Sequence, residues 1–303
     1  MSQTSSRSLH GVSYAVASYL IWGFFPLYFL LTPPASALEV VALRVLFSLI
    51  FCLALIPLSG QLGQLITSLR RPKDLGLLLL ASLLIFANWL LFVIATTSSR
   101  VMEASLGYYV TPLVSVGLGL LFLKEKISRL QVLGLAAGAL AVFVMLRFYG
   151  SVPWLGLGLA ATFGLYGLIK KKLGALPALT SLTLETLLLT PLAACLLVIF
   201  LGQGQLTLLQ EGPAHFWILA VSGPLTALPL LFFAAGASRI QLSSMGMIQY
   251  LGPTLQFLLA LWVTREETSP GRWATFGLVW LAAIFFSADA LKKRRASSRP
   301  AGS

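Results

Sequence analysis

From Gly11 to Asp289, long apolar runs succeed one another with only short polar gaps, and each matches the roughly 20 apolar helical residues that a bilayer core of about 30 Å takes. A chain written this way needs lipid as its solvent. The template fits ten times, near 11–31, 38–58, 75–97, 101–123, 129–146, 153–169, 178–201, 214–236, 241–263 and 272–290. The expected fold class is all-α integral membrane, ten transmembrane helices between a short N-terminal tail (1–10) and a basic C-terminal tail (291–303). The first run is too long for a signal-peptide core and lacks a small-residue cleavage site, so it is expected to be retained.

Composition supports the same solvent. Nine acidic residues cannot cover a water-soluble surface on a chain that is 58% apolar with a mean hydropathy of +0.91. The net charge of +12 would suggest nucleic acid if it lay on one soluble face. Instead most Lys and Arg sit in the gaps between apolar runs, where they set topology, and no nucleic-acid partner is expected. With the N-terminus inside, the cytoplasmic segments collect Arg7, Arg70, Arg71, Lys73, Lys124, Lys126, Arg129, Lys170, Lys171, Lys172, Arg239 and the Lys292–Arg299 tail. The outside loops hold only Arg100, Arg147, Arg265 and Arg272. Both termini are therefore expected in the cytoplasm, which requires an even helix count.

The chain repeats itself weakly at an offset of 141 residues. Trp22-Gly23 falls on Phe163-Gly164, Phe92 on Phe233, Tyr109 on Tyr250, Pro112 on Pro253, Leu120 on Leu261 and Lys124-Glu125 on Arg265-Glu266. Each half, 11–146 and 153–290, then holds five helices. Five is odd, so the halves enter the membrane in opposite orientations, the inverted-repeat plan of many secondary transporters.

Ionisable groups inside a bilayer are costly and mark functional sites by default. Arg44 in the second helix and Glu185 in the seventh each lie about 10 Å from their helix start, and they are 141 residues apart. They are candidates to pair or to line one cavity jointly, against a structural ion pair or two separately solvated groups. Glu39 and Glu103, nearer helix ends, read as interfacial, while Asp289, Glu125 and Glu266 read as helix-end charges. A second set joins aromatic and amide side chains: Trp22, Tyr28, Asn88, Trp89, Tyr108, Tyr109, Tyr166, Gln249, Tyr250 and Gln256. Buried amides need partners or a wet cavity and aromatics supply flat apolar walls, a combination suited to an amphipathic organic solute. The substrate-contact candidates are Trp22, Arg44, Asn88, Tyr108, Tyr166, Glu185, Gln249 and Gln256.

Pro26, Pro112, Pro191, Pro224, Pro229 and Pro253 lie within apolar segments, and kinks at the matched Pro112 and Pro253 would let two helices bend as gates. Gly134 and Gly138 form a small-xxx-small face, expected to serve internal packing, with a homodimer left open. Cys52 and Cys195, with His10 and His215, form neither a disulfide framework nor a metal-ligand spacing. There is no Walker A run, HExxH, CxxC or nucleophile elbow, so no ATP hydrolysis, cofactor, metal or enzymatic activity is expected.

The stretches YLIWGFFPLY (19–28), EASLGYYVTPL (103–113), FGLYGLIKK (163–171), ETLLLTP (185–191) and QYLGPTLQF (249–257) resemble the RarD proteins of the EamA family, in the drug/metabolite transporter superfamily. The resemblance runs from about Gly11 to Asp289. It implies two inverted five-helix repeats, a central cavity lined mainly by helices 1, 3, 4, 6, 8 and 9, residence in a bacterial inner membrane, and permease activity, commonly export of metabolites or drugs. Lys124 before Glu125 departs from the small residue of many members, and the second half reads Arg265-Glu266-Glu267. The expected function is secondary transport of a small organic solute, with lipid as surroundings. An integral-membrane enzyme on lipid-linked substrates, or a scaffold, is the alternative.

Overall fold

The computed structural model describes residues 2–124, 127–148, 152–174, 176–240, 245 and 248–297. These form α1 (Ser2–Phe29), α2 (Ala37–Leu55), α3 (Leu62–Leu69), α4 (Pro72–Thr97), α5 (Val101–Leu123), α6 (Arg129–Phe148), α7 (Trp154–Leu173), α8 (Ala178–Gly202), α9 (Gly212–Ala220), α10 (Ser222–Ala237), α11 (Leu251–Trp262) and α12 (Pro270–Ser297), with a 3-10 turn at Thr207–Leu209. Among the described residues, seven stretches are long and apolar enough to cross a membrane: His10–Phe29, Ala37–Leu55, Asp74–Thr97, Val101–Phe122, Ala178–Gly202, Gly212–Ala237 and Pro270–Asp289. Arg129–Val144 and Leu251–Trp262 are shorter apolar helices. Leu58, Leu121, Trp154, Val198, Trp217, Trp262 and Ile284 are each more than half exposed, whereas Arg44, Asn88, Glu185 and Gln256 are buried. That distribution inverts the pattern of a water-soluble protein, as a hydrocarbon surrounding requires. The chain is an all-α integral membrane protein.

Helices pack mostly across the two halves of the chain: α1 on α10 and α11, α2 on α8 and α10, α4 on α7 and α8, α5 on α7 and α11, and α6 on α12. Several contacts recur at the 141-residue offset. Gly23 packs against Leu255, and Gly164 against Val114. Asn88 Nδ2 donates to the Leu159 carbonyl at 3.1 Å, and Ser18 Oγ to the Pro229 carbonyl at 2.8 Å, the same two positions with the halves exchanged. Tyr109 and Tyr250, themselves 141 apart, stack with centroids 6.0 Å apart. Lys124, which caps α5, and Arg265, three residues after α11, both adopt left-handed backbone, at φ 53° and 50°. A residue without Cβ strain is favoured there.

Close approach of α2 and α10 depends on Gly223, where a Cβ would come within 2.4 Å of the Phe47 carbonyl oxygen. Gly134 meets the Phe286 ring of α12 and Gly138 meets Leu113 of α5, so the small-xxx-small face serves internal packing.

Five expectations change. The run 214–236 is one apolar span interrupted for a single residue, where α9 and α10 meet at Val221. Pro224 lacks the N–H that would bond the Ala220 carbonyl, and Ser222 Oγ donates to the Leu219 carbonyl at 2.6 Å beside the break. Pro253 lies in the first turn of α11, where its missing N–H costs nothing, so of that pair only Pro112 interrupts the hydrogen bonding of a helix interior. Asp289 is not at a helix end. It is buried within α12 and accepts from Ser128 Oγ at 2.5 Å, and Ser128 is itself paired with Gln131 in a reciprocal cap at the start of α6. Lys170 is not a loop charge, because α7 continues to Leu173. Finally, α3 interrupts the connection after α2, with Leu65 and Ser68 turned inward. Glu125 and Lys126 fall outside the described residues.

Candidate functional site

Arg44 and Glu185 occupy the same place in their helices, each the eighth residue of α2 and of α8. They form no ion pair with each other. Of the arrangements left open, direct pairing is not the one observed: helix depth follows from sequence position, whereas the direction in which a side chain leaves its helix follows from rotation and packing.

The Arg44 guanidinium is enclosed by rings. Its Cζ lies 4.3 Å from the Trp89 centroid, 5.4 Å from Phe25 and 5.7 Å from Phe29, so α1 and α4 cover its flat faces with π density, an arrangement worth up to about 2 kcal/mol when dry. From α10, the Thr226 hydroxyl accepts the Nε hydrogen at 2.7 Å. The Tyr28 and Tyr108 phenols lie within electrostatic reach.

Glu185 sits in a different kind of nest. Lys170 Nζ is 2.8 Å from its Oε1, Ser181 Oγ donates at 3.0 Å, and Tyr166 Oη bridges both carboxylate oxygens at 3.1 and 3.2 Å. Lys170 also bonds Ser181. The position of Ser181 one turn before Glu185 on α8, with Tyr166 and Lys170 one turn apart on α7, brings all four groups to one point. The carboxylate is therefore neutralised locally. At the 141-residue offset, Tyr166 corresponds to Phe25 and Lys170 to Phe29, so positions that wall the cation in one half bond the anion in the other.

An aromatic line joins the two centres. Phe29 meets Phe92 at 5.9 Å, Phe92 meets Tyr108 at 5.6 Å, Tyr108 meets Phe163 at 6.3 Å and Phe163 meets Tyr166 at 5.9 Å. Asn88 braces it, its amide donating to the Leu159 carbonyl and to Thr162 Oγ1 while its oxygen accepts from Tyr108 at 3.2 Å. That amide is satisfied by protein. Trp22 packs against Tyr19 and Phe233, and its carbonyl accepts from Gln256 Nε2 at 3.2 Å. The Gln256 oxygen is buried without a partner among the described residues. Gln249 is half-buried next to Tyr250. The structure thus gathers Arg44, Asn88, Tyr108, Tyr166 and Glu185 along one line, and adds Lys170, Phe25, Phe29 and Thr226, which the sequence reading missed. For Lys170 a signal existed: it lies one turn after Tyr166, at the offset position of Phe29.

The other acids are structural. Glu103 Oε1 accepts the first amides of α7, Leu155 N at 2.8 Å and Gly156 N at 3.2 Å, and its other oxygen pairs with Arg100 at 2.5 Å. Glu266 takes the Val101 and Met102 amides at the start of α5 at 2.6 and 3.0 Å, as carboxylates do at helix N-termini. Burial pushes the Glu266 carboxyl above its ordinary range, against the opposing pull of those amides, Thr264 and Arg272. Glu39 accepts from Thr207 Oγ1 and the Leu208 amide, both at 3.0 Å, tying α2 to the 3-10 turn. Ser99–Arg100, Val152, Trp154, Thr264–Glu267 and Arg272, from three of the expected outside connections, line one cavity of about 680 Å³. A groove of about 520 Å³ between α5, α11 and α12 is lined by Tyr109, Tyr250, Thr254 and Trp280 and by no charged side chain.

Comparison with known proteins decides the family. The profile of the "EamA-like transporter family" matches residues 9–147. An uncharacterized transporter of Bacillus subtilis, YojE, is 42% identical over 95% of this chain and 96% of its own. Protein RarD of Streptomyces exfoliatus is likewise 42% identical, over 95% and 91%. The chain belongs to the EamA-like transporter family. Within it the relatives place it as a RarD-type, multi-pass membrane transporter. A solved crystal structure shares the fold with a TM-score of 0.61 at 18% identity, covering 94% of this chain and 98% of that one.

Proposed function

We propose that this RarD-type protein is a secondary active exporter of a small organic metabolite or drug, working by alternating access between two inverted five-helix repeats, residues 11–146 and 153–290. The observation that carries the reading is the matched placement of Arg44 and Glu185, two buried charges at one helix depth joined by an aromatic line. A scaffold has no use for charges buried at such cost. The recurrence of contacts at the 141-residue offset supports two equivalent halves, and the preference of helices for partners in the opposite half supports movement of one half against the other.

Purified protein in proteoliposomes is expected to take up solute under an ion or solute gradient with no ATP present, because the chain has no phosphate-cradling loop. A strict ATP requirement would overturn secondary transport.

The same reading places both termini in the cytoplasm of a bacterial inner membrane, from the basic residues of the connecting segments. The shared cavity supports three of the expected outside connections lying on one face. Reporter fusions after Ser303 and near Gly204 are expected to report inside and outside respectively. The reverse pattern would refute this orientation.

A further inference from the structure

Arg44 is a buried cation whose bonding is incomplete. A guanidinium has five N–H donors in a planar fork, and among the described residues only the Nε hydrogen finds an acceptor, Thr226. The rings of Trp89, Phe25 and Phe29 cover its faces, but ring faces leave the N–H edge of the fork unbonded. Among the described residues no carboxylate lies against it, in contrast to Lys170, whose charge Glu185 answers. Arg44 is 4% exposed, and among the described residues the fully enclosed side-chain atoms without partners are Glu39 Oε2, Ser48 Oγ and Gln256 Oε1. Ser48 stands one turn beyond Arg44 on the same face of α2, buried, with its hydroxyl unpartnered. A fork of donors beside flat apolar walls describes a receptor for a planar apolar body that carries a carboxylate.

We propose that Arg44 is the carboxylate-binding residue of the transport site and that the solute is an amphipathic organic monoanion, its carboxylate on the Arg44 fork and its apolar body against Trp89, Phe25 and Phe29. The inference rests on the transport reading and names the solute class within it. The Glu185 centre, already neutralised by Lys170, leaves Arg44 as the uncompensated charge among the described residues of the site, so one negative charge on the solute completes the balance. Loss of a fork contact to a buried charge leaves donors unpaired, which is why a neutral analogue of the same shape binds poorly.

The test is equilibrium binding to the full-length purified protein by calorimetry, with phenylacetate, naphthylacetate and indoleacetate each set against its primary amide. At least one acid is expected to bind, at least about tenfold more tightly than its amide. Arg44→Gln is expected to erase that difference, and Arg44→Lys, which keeps the charge without the fork, to retain part of it. Acids and amides binding alike, no acid binding, or an undiminished acid preference in Arg44→Gln would each overturn the assignment. Retention of a single symmetric peak on size exclusion establishes that the variants are folded. Uptake of the same panel into proteoliposomes separates the two levels. Solutes carried without regard to their carboxylate leave transport standing and sink the Arg44 assignment, whereas acids that bind but are never carried sink the transport reading alone.

Discussion

Lys170→Met is expected to destabilise the protein by about 3 kcal/mol, read as a lower midpoint in thermal unfolding of the detergent-solubilised chain. The Glu185 side chain is only 3% exposed, and removing its cation leaves a buried carboxylate held by the Tyr166 and Ser181 hydroxyls alone. Breaking a buried pair costs about 3–5 kcal/mol, and the lower end applies because the Lys170 side chain keeps 23% exposure. Adding Glu185→Gln to Lys170→Met is expected to restore most of the loss, because a neutral amide needs no counter-ion. That double variant then separates structure from function. If the pair takes part in transport, the rescued protein folds and does not transport; wild-type rates from it would make the pair scaffold only. A double variant as unstable as Lys170→Met would refute the pairing argument itself.

The opposite result is expected at Arg44. Arg44→Met forfeits the ring contacts, worth up to about 2 kcal/mol, and the bond to Thr226, worth about 1.5–3 kcal/mol for a charged group. It also removes a desolvated charge that no carboxylate answers, and that penalty amounts to several kcal/mol. These terms nearly cancel, so the unfolding midpoint is expected to stay level or rise while transport falls below one hundredth of wild type. A residue kept at a stability cost is kept for its activity. A large drop in the midpoint would make Arg44 a structural group, and near-wild-type transport would remove it from the site.

The two charged centres show how far residue order reaches. Arg44 and Glu185 were recognisable as candidates because charge inside an apolar run is rare, and their equal depth follows from counting residues along a helix. Their partners were not recognisable. Lys170 looks like one of three loop lysines until α7 is seen to run on to Leu173. Thr226 reaches Arg44 only because Gly223 lets α10 settle against the backbone of α2. Glu103 and Glu266 are charges near helix ends in the sequence. The helices they cap, α7 and α5, are not the ones that carry them or directly precede them, respectively, and such a pairing has no sequence-local signature.

By itself the sequence determined the solvent, the all-helical class, the places where apolar helices lie and the depth of the buried charges. Each of these depends on local properties: hydropathy summed over a segment, the hydrogen bonds a helix makes within itself, and a fixed rise per residue. Only the tertiary structure decided which way those charges face and what meets them, so that one became an ion pair with Lys170 and the other an uncompensated cation among rings. The physical reason is that partner choice depends on helix rotation and on the separation of neighbouring backbones, quantities set by packing between segments distant in the chain and left undetermined by either segment alone.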